Sequence, residues 1–186
     1  MRKMLFIVGS PRRNGCTSKI ADLVIQGTGS VFQVRKIVLG DLKLNFCLGC
    51  KSCFSTRKCV QRDSMDQLFE AIFDADILVM AVPSYWGDVP GQMKVFFDRS
   101  TPLCDENGGT IVPAGKRGYS IAVRAGQRIE ENLQLIKAME HYYGHLGIRS
   151  EGNATFERIA DIEDIGKSSE VVEKAIKFGQ MIASAK

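Results

Sequence analysis

No stretch of this sequence is apolar for long enough to cross a bilayer. The longest clean run, Ile77 to Val82, falls far short of the about 20 residues that a spanning helix needs, so no membrane partner is expected. No dense Lys/Arg stripe with interleaved aromatics occurs, and the excess of 25 basic over 21 acidic residues is small. A nucleic-acid partner is therefore not expected either. The apolar stretch Met4 to Val8 is too short for the core of a secretory signal, and no small-residue cleavage site follows. It reads as a buried first strand, and a cytoplasmic location is expected. In a reducing compartment, six cysteines are ligands or redox groups before they are disulfides. There is no Walker A loop, no G-x-G-x-x-G turn, no G-x-S-x-G elbow and no Ser/His/Asp arrangement. The only two histidines, His141 and His145, stand four apart on a predicted helix. They lack a convincing further ligand and are assigned surface or packing roles.

What is present is ordinary globular composition. With 186 residues, 45% hydrophobic and 25% charged, the chain is expected to form one domain over residues 1–186. Strand and helix patterns alternate. Leu5–Val8, Val31–Leu39, Ile77–Val82, Tyr119–Val123 and Ile148–Ala154 read as strands. Helical stripes follow: Ile20, Leu23, Val24 and Gly27; then Met65, Leu68, Phe69 and Ile72 behind a capping-box pattern opened by Ser64. Pro90–Arg99 reads as a helix with Asp88 as its N-cap, and Lys94 and Asp98 as an ion pair on it. Ile129, Leu133, Ile136, Met139 and Tyr143 form another stripe, and Val172, Ala175, Ile176, Gly179 and Ile182 the last. This is an α/β pattern with a doubly wound parallel sheet. In such sheets the ligand lies beyond the C-terminal strand ends, where strand order reverses.

Three segments carry the chemistry. The loop after the first strand, Gly9-Ser10-Pro11-Arg12-Arg13-Asn14-Gly15-Cys16-Thr17-Ser18, combines hydroxyls, glycines and cations at a helix N-terminus, which suits a phosphate. The loop after the third, Pro83-Ser84-Tyr85-Trp86-Gly87, holds the single tryptophan and suits a planar ring; a core-filling role for Trp86 is the plain alternative. In a two-one-three strand order these loops adjoin, and together they describe a phosphate-bearing aromatic cofactor, best FMN. Arg124 to Arg128, after strand four, would be the third wall. The third segment is the long connection 39–64, where about two to six residues is usual. It carries Cys47, Cys50, Cys53 and Cys59 as C-x2-C-x2-C-x5-C, with Lys43, Lys51, Arg57, Lys58 and Arg62 around them. So compact a run fits a [4Fe–4S] cluster before structural zinc, which more often uses separated pairs. Thiols without metal, including a Cys47/Cys50 or Cys50/Cys53 redox pair, remain open. Cys104 is a bystander.

Gly9-Ser10-Pro11-Arg12, the four cysteines, Asp76, Pro83-x-Tyr85-Trp86-Gly87 and Pro90-x-x-x-Lys94-x-x-x-Asp98-Arg99 together resemble flavodoxin-like flavoproteins. The chain is most similar to the iron–sulfur flavoprotein family and its NADPH-dependent FMN reductase relatives, through about the first hundred residues. The resemblance implies a five-stranded parallel sheet of order 2-1-3-4-5 and a non-covalent FMN. Its contacts would come from Ser10, Arg12, Asn14, Gly15, Cys16, Thr17, Ser18, Pro83, Ser84, Tyr85, Trp86, Gly87, Ala125 and Gly126. It further implies a cluster on the four cysteines, electron exchange with ferredoxin or NAD(P)H, and homodimers or homotetramers. A cluster-free NAD(P)H-dependent FMN or quinone reductase is the alternative. A flavodoxin-like carrier is disfavoured by the basic charge balance and the cysteine loop.

Overall fold

The computed structural model describes residues 1–105 and 107–185. Five parallel strands form one sheet in the order β2-β1-β3-β4-β5: β1 Arg2–Val8, β2 Phe32–Val38, β3 Ile77–Pro83, β4 Arg117–Val123 and β5 Arg149–Phe156. The order is the expected one. β3 and β4 are buried along almost their whole length because helices cover both faces. Alternation along β1 splits the core. Leu5 and Ile7 face one layer with α3 Met65–Asp74, α4 Gly91–Arg99 and α5 Ile129–His145. Met4, Phe6 and Val8 face the other with α1 Cys16–Gly27, α6 Ile162–Lys167 and α7 Ser169–Ser184. A short α2, Ser52–Thr56, sits inside the cysteine loop. Among the described residues no helix is long and apolar enough to cross a membrane.

α1 and α7 cross backbone on backbone. A Cβ on Gly179 would lie 2.1 Å from the Val24 carbonyl oxygen, and one on Gly27 would lie 2.2 Å from that of Ile176. Both positions need glycine for close approach. Asp76 ties the strand starts: its amide donates to the Lys3 carbonyl (2.9 Å) and its carboxylate accepts from the Lys3 amide (2.7 Å). That places it at the far end of the sheet from the loops of interest.

Two helix starts differ from expectation. Ser64 precedes α3 without a side-chain cap; the Asp63 carboxylate takes the Met65 amide instead, at 3.1 Å. Asp63 wins because its carboxylate is also held by Arg99 (2.8 Å). Before α4 the N-cap position is Pro90, not Asp88. Asp88 is held in a two-residue hairpin with Tyr85, and its carboxylate turns back to the Val89 amide. The expected Lys94–Asp98 ion pair is present, and Met93 and Phe96 are wholly buried.

Candidate functional site

Strand β1 lies between β2 and β3, so the loops leaving β1 and β3 flank the crevice where strand order reverses. The first loop is pressed onto its neighbour from the start. The Gly9 amide donates to the Ala81 carbonyl at 2.8 Å, and a Cβ on Gly9 would sit 3.0 Å from Val82 Cγ1 and 3.1 Å from Met93 Cβ. Ser10 is buried, and its Oγ accepts from the Arg12 amide at 3.1 Å. The Gly15 amide closes the turn onto the Arg12 carbonyl at 3.3 Å.

Cys16, Thr17 and Ser18 open α1. Its first-turn amides have no intrahelical acceptor, Gly15 offers no side-chain cap, and the first turn contains no acidic residue. The Arg12 side chain folds over this end: a Cβ on Gly15 would lie 3.4 Å from Arg12 Nε. A guanidinium beside the positive end of a helix dipole is repelled. An anion between the two would favour the arrangement.

Other residues of the loop point elsewhere. The Cys16 thiol donates to the Ala160 carbonyl at 3.6 Å; burial pushes its pKa up, and Arg12 pulls against that. Its side chain therefore faces α6, leaving only its backbone for the loop. Ser18 Oγ accepts from Lys36 Nζ at 3.2 Å, at the β2 edge. Arg13 pairs with Asp41 at 3.3 Å, whereas Asn14 stays exposed on the loop itself.

The β3 loop is a hairpin turn. Tyr85 and Asp88 exchange backbone hydrogen bonds of 2.9 and 3.1 Å, and the central residues Trp86 and Gly87 have φ of 56° and 77°. Two-residue hairpins favour φ > 0 at these places, normally filled by Asn-Gly. A tryptophan there costs on the order of 1–3 kcal/mol of strain. Trp86 is wholly exposed and Tyr85 partly so. Core filling is thereby excluded for Trp86, and both rings stand free at the rim of the crevice. Pro83 ends β3, and the Ser84 amide donates to Val123 at 2.8 Å, holding this loop against the end of β4.

The β4 loop is shaped by Arg124. Its guanidinium pairs with Glu131 at 2.8 Å, donates to the Arg128 carbonyl at 2.7 Å and covers Gly126, where a Cβ would lie 2.7 Å from Nη2. Ala125 is exposed beside it. Glu131 also lies 3.5 Å from Ser84 Oγ, joining the two loops. Sequence reasoning passed over Glu131; its i,i+3 spacing from Arg128 was the available signal.

All four loop cysteines are free thiols. Cys47 and Cys50 are exposed, whereas Cys53 and Cys59 are half-buried. Burial pushes the Cys53 thiol up, and the nearby Cys59, Cys50 and Cys47 push it further, so the other three are neighbours of Cys53. Among the described residues no three His, Cys, Asp or Glu side chains are arranged to hold an ion. The donor set suits a soft metal, but the sulfurs are gathered rather than closed. A cleft of about 350 Å³, lined by Pro11, Gly40, Leu44, Phe46 and Gly91 among others, runs from the first loop to the base of the cysteine loop. The backbone of Cys104 meets this loop, since Arg57 donates to its carbonyl and pairs with Asp105 at 3.7 Å, but its thiol donates to the His145 carbonyl at 3.5 Å. His141 and His145 do share a face, with their Nε2 atoms 3.0 Å apart, and both are exposed.

Comparison with known proteins agrees with this fold. The family described as NADPH-dependent FMN reductase matches residues 2–147. An iron-sulfur flavoprotein of Archaeoglobus fulgidus is 39% identical over 125 residues, covering 67% of this chain and 55% of the relative. An iron-sulfur flavoprotein of Methanosarcina thermophila is 29% identical, covering 76% of this chain and 74% of the relative. The chain spans only about half the length of the first of these relatives. Among solved structures, an NAD(P)H:quinone oxidoreductase from Methanothermobacter marburgensis superposes with a TM-score of 0.76 at 13% identity, covering 100% of both chains. The Trp repressor binding protein of Bacillus subtilis gives 0.69 at 24%, covering 95% of this chain and 97% of that one. At such identities the two structures share the fold with this chain, and nothing further follows from them.

Proposed function

The chain belongs to the NADPH-dependent FMN reductase family, and on that footing we propose that it is an FMN-dependent oxidoreductase of the iron–sulfur flavoprotein type. FMN, when bound, supplies hydride and one-electron chemistry. The chain's part is to bind, orient and shield it. Ser10, Asn14, Thr17 and the amides of Gly15 to Ser18, with Arg12 above them, take the phosphate. Pro83 to Gly87 present the ring platform and backbone edge, and Ala125 and Gly126 line the third side. No side chain needs to act as acid or base. One observation carries this reading: the Arg12 guanidinium folds over the uncapped, acid-free start of α1, two positive ends that call for a dianion between them.

Cys47, Cys50, Cys53 and Cys59 are the residues that would hold a [4Fe–4S] cluster, and electrons would pass between it, or ferredoxin, and the flavin. Four free thiols gathered around Cys53 support this, as does the cleft joining their loop to Pro11. Exposed Phe46, Leu48 and Val60 beside them favour a second subunit of a homodimer or homotetramer covering this surface. The second reading is a cluster-free FMN or quinone reductase fed by NAD(P)H. It is favoured by the open arrangement of the thiols.

Purification without air, followed by a visible spectrum and iron and sulfide analysis, tests both. Flavin bands with about four iron atoms per chain support the first. Flavin without iron, bleached rapidly by NADPH, supports the second. Material that neither carries nor takes up FMN overturns the whole assignment.

A further inference from the structure

The β4 wall of the crevice is folded around one cation. Arg124 follows directly on β4, and its backbone is held on both sides. Its amide donates to the Phe156 carbonyl at 2.9 Å, and its carbonyl accepts from the Ile159 amide at 2.9 Å. The guanidinium is held as closely: Nη1 donates to the Arg128 carbonyl at 2.7 Å and pairs with Glu131 Oε2 at 2.8 Å. Gly126 makes room for it, since a Cβ there would lie 2.7 Å from Nη2 and 3.2 Å from Nε. Gly126 has no left-handed backbone that would otherwise call for glycine. Glu131 reaches across to the β3 loop. Its Oε2 accepts from Ser84 Oγ at 3.5 Å, and a Cβ on Gly87 would lie 3.5 Å from its Cγ. Through one carboxylate, Arg124 is thus fixed against the hairpin that carries Trp86.

A tie between two loops does not need a buried cation. The Arg124 side chain is only 14% exposed, and taking a guanidinium out of water is costly. Glu131 answers only part of the charge. It is shared with Arg128, whose Nη1 lies 3.9 Å from Oε1, so two cations meet one carboxylate and positive charge is left in excess. Arg124 Nε is also buried with no hydrogen-bond partner among the described residues, an orphan donor of the kind native proteins rarely keep. Excess charge and a spare N–H suit an acceptor that carries negative charge. A flavin gains such charge on reduction. Two electrons and one proton leave its ring with one negative charge, spread over N1 and the C2 carbonyl of the pyrimidine edge, and a protein cation near that edge tunes it.

We propose that Arg124 tunes the bound FMN, its charge and spare N–H favouring the reduced, anionic ring over the oxidised, neutral one. Glu131 is the positioning residue that fixes the guanidinium and moderates its charge. This role rests on the FMN reading of the crevice and deepens it: Arg124 sets how readily the cofactor takes up electrons.

The test uses the whole chain, freed of flavin and reloaded with FMN. Its two-electron midpoint potential is read against a dye of known potential during reduction by dithionite without air, and fluorescence titration gives the affinity for oxidised FMN. Arg124→Gln removes the charge, and Glu131→Gln removes its counter-charge. In Arg124→Gln the reduced cofactor should lose about tenfold in affinity relative to the oxidised one, which lowers the potential by about 30 mV. Glu131→Gln should raise the potential instead. Far-UV circular dichroism of the apoprotein reports folding, and if one variant fails to fold the sign of the other decides. Shifts of opposite sign support the proposal. Shifts of the same sign, the mark of a wall that has merely deformed, overturn it, and so does an unchanged potential in either folded variant. If the wild type takes up no FMN, the FMN reading falls as well; if it loads and the potentials do not separate, only the role of Arg124 falls.

Discussion

Protonating Asp63 should unfasten the neck of the cysteine loop, and its cost follows from the structure. Burial raises the Asp63 pKa, but the hydrogen bonds from Arg99, Asn45 and Met65 and the Arg99 charge outweigh this and bring it down to about 2, from an ordinary 3.8. A carboxylate depressed in the folded state stabilises fully above its unfolded value. That contribution fades as pH falls from about 4 through about 2. The gap of about 1.8, at about 1.36 kcal/mol for each pKa unit, amounts to about 2 kcal/mol. Because the pair is buried, added salt should change this little. Urea unfolding of the reduced apoprotein measures it. Far-UV circular dichroism is the right probe, since Trp86 is wholly exposed in the fold and its emission will respond weakly. At neutral pH, Asp63→Asn should cost about 3–5 kcal/mol, because it strands the Arg99 charge. The difference between wild type and variant should then shrink by about 2 kcal/mol as pH falls to about 2. A difference that stays constant over that range would refute the assignment of this stability to the Asp63 carboxylate.

Other perturbations separate folding from binding. Gly179→Ala drives a Cβ into the Val24 carbonyl across the α1–α7 crossing and should cost about 3 kcal/mol in the same urea measurement; a loss under about 1 kcal/mol would mean the crossing yields easily. Trp86→Ala should leave stability within about 0.5 kcal/mol, since the ring is exposed. FMN fluorescence titration should show affinity falling about three- to tenfold as an aromatic contact is lost, and an unaltered affinity would remove Trp86 from the site. Arg12→Ala should weaken FMN about tenfold or more while leaving riboflavin binding unchanged, the mark of a lost charge-assisted phosphate contact. Equal losses for both ligands would show that the loop had merely deformed.

The architecture was legible because its signals are local. Buried strands read as short apolar runs and helices as stripes of period 3.6, and their alternation forces a parallel sheet. The first and third loops could be identified from residue type and position along the chain. Direction within those loops could not. Cys16 reads as a member of the phosphate loop, yet its thiol turns to Ala160, because α1 packs that flank toward α6. Trp86 was balanced between core and rim until the left-handed backbone at Trp86 and Gly87 turned the ring outward.

By itself the sequence determined the order of elements, the two neighbouring loops at the reversal of the sheet, and the gathering of four cysteines in one overlong connection. Those follow from periodicity and spacing along the chain. Only the tertiary structure decided that Asp63 rather than Ser64 caps α3, that Glu131 links the β3 and β4 loops through Arg124 and Ser84, and that Arg99 pairs with Asp63 across the neck of the cysteine loop. A charged residue carries no mark of its partner when that partner lies far along the chain. Burial selects the pair, because an unpaired charge inside the fold is too costly to keep.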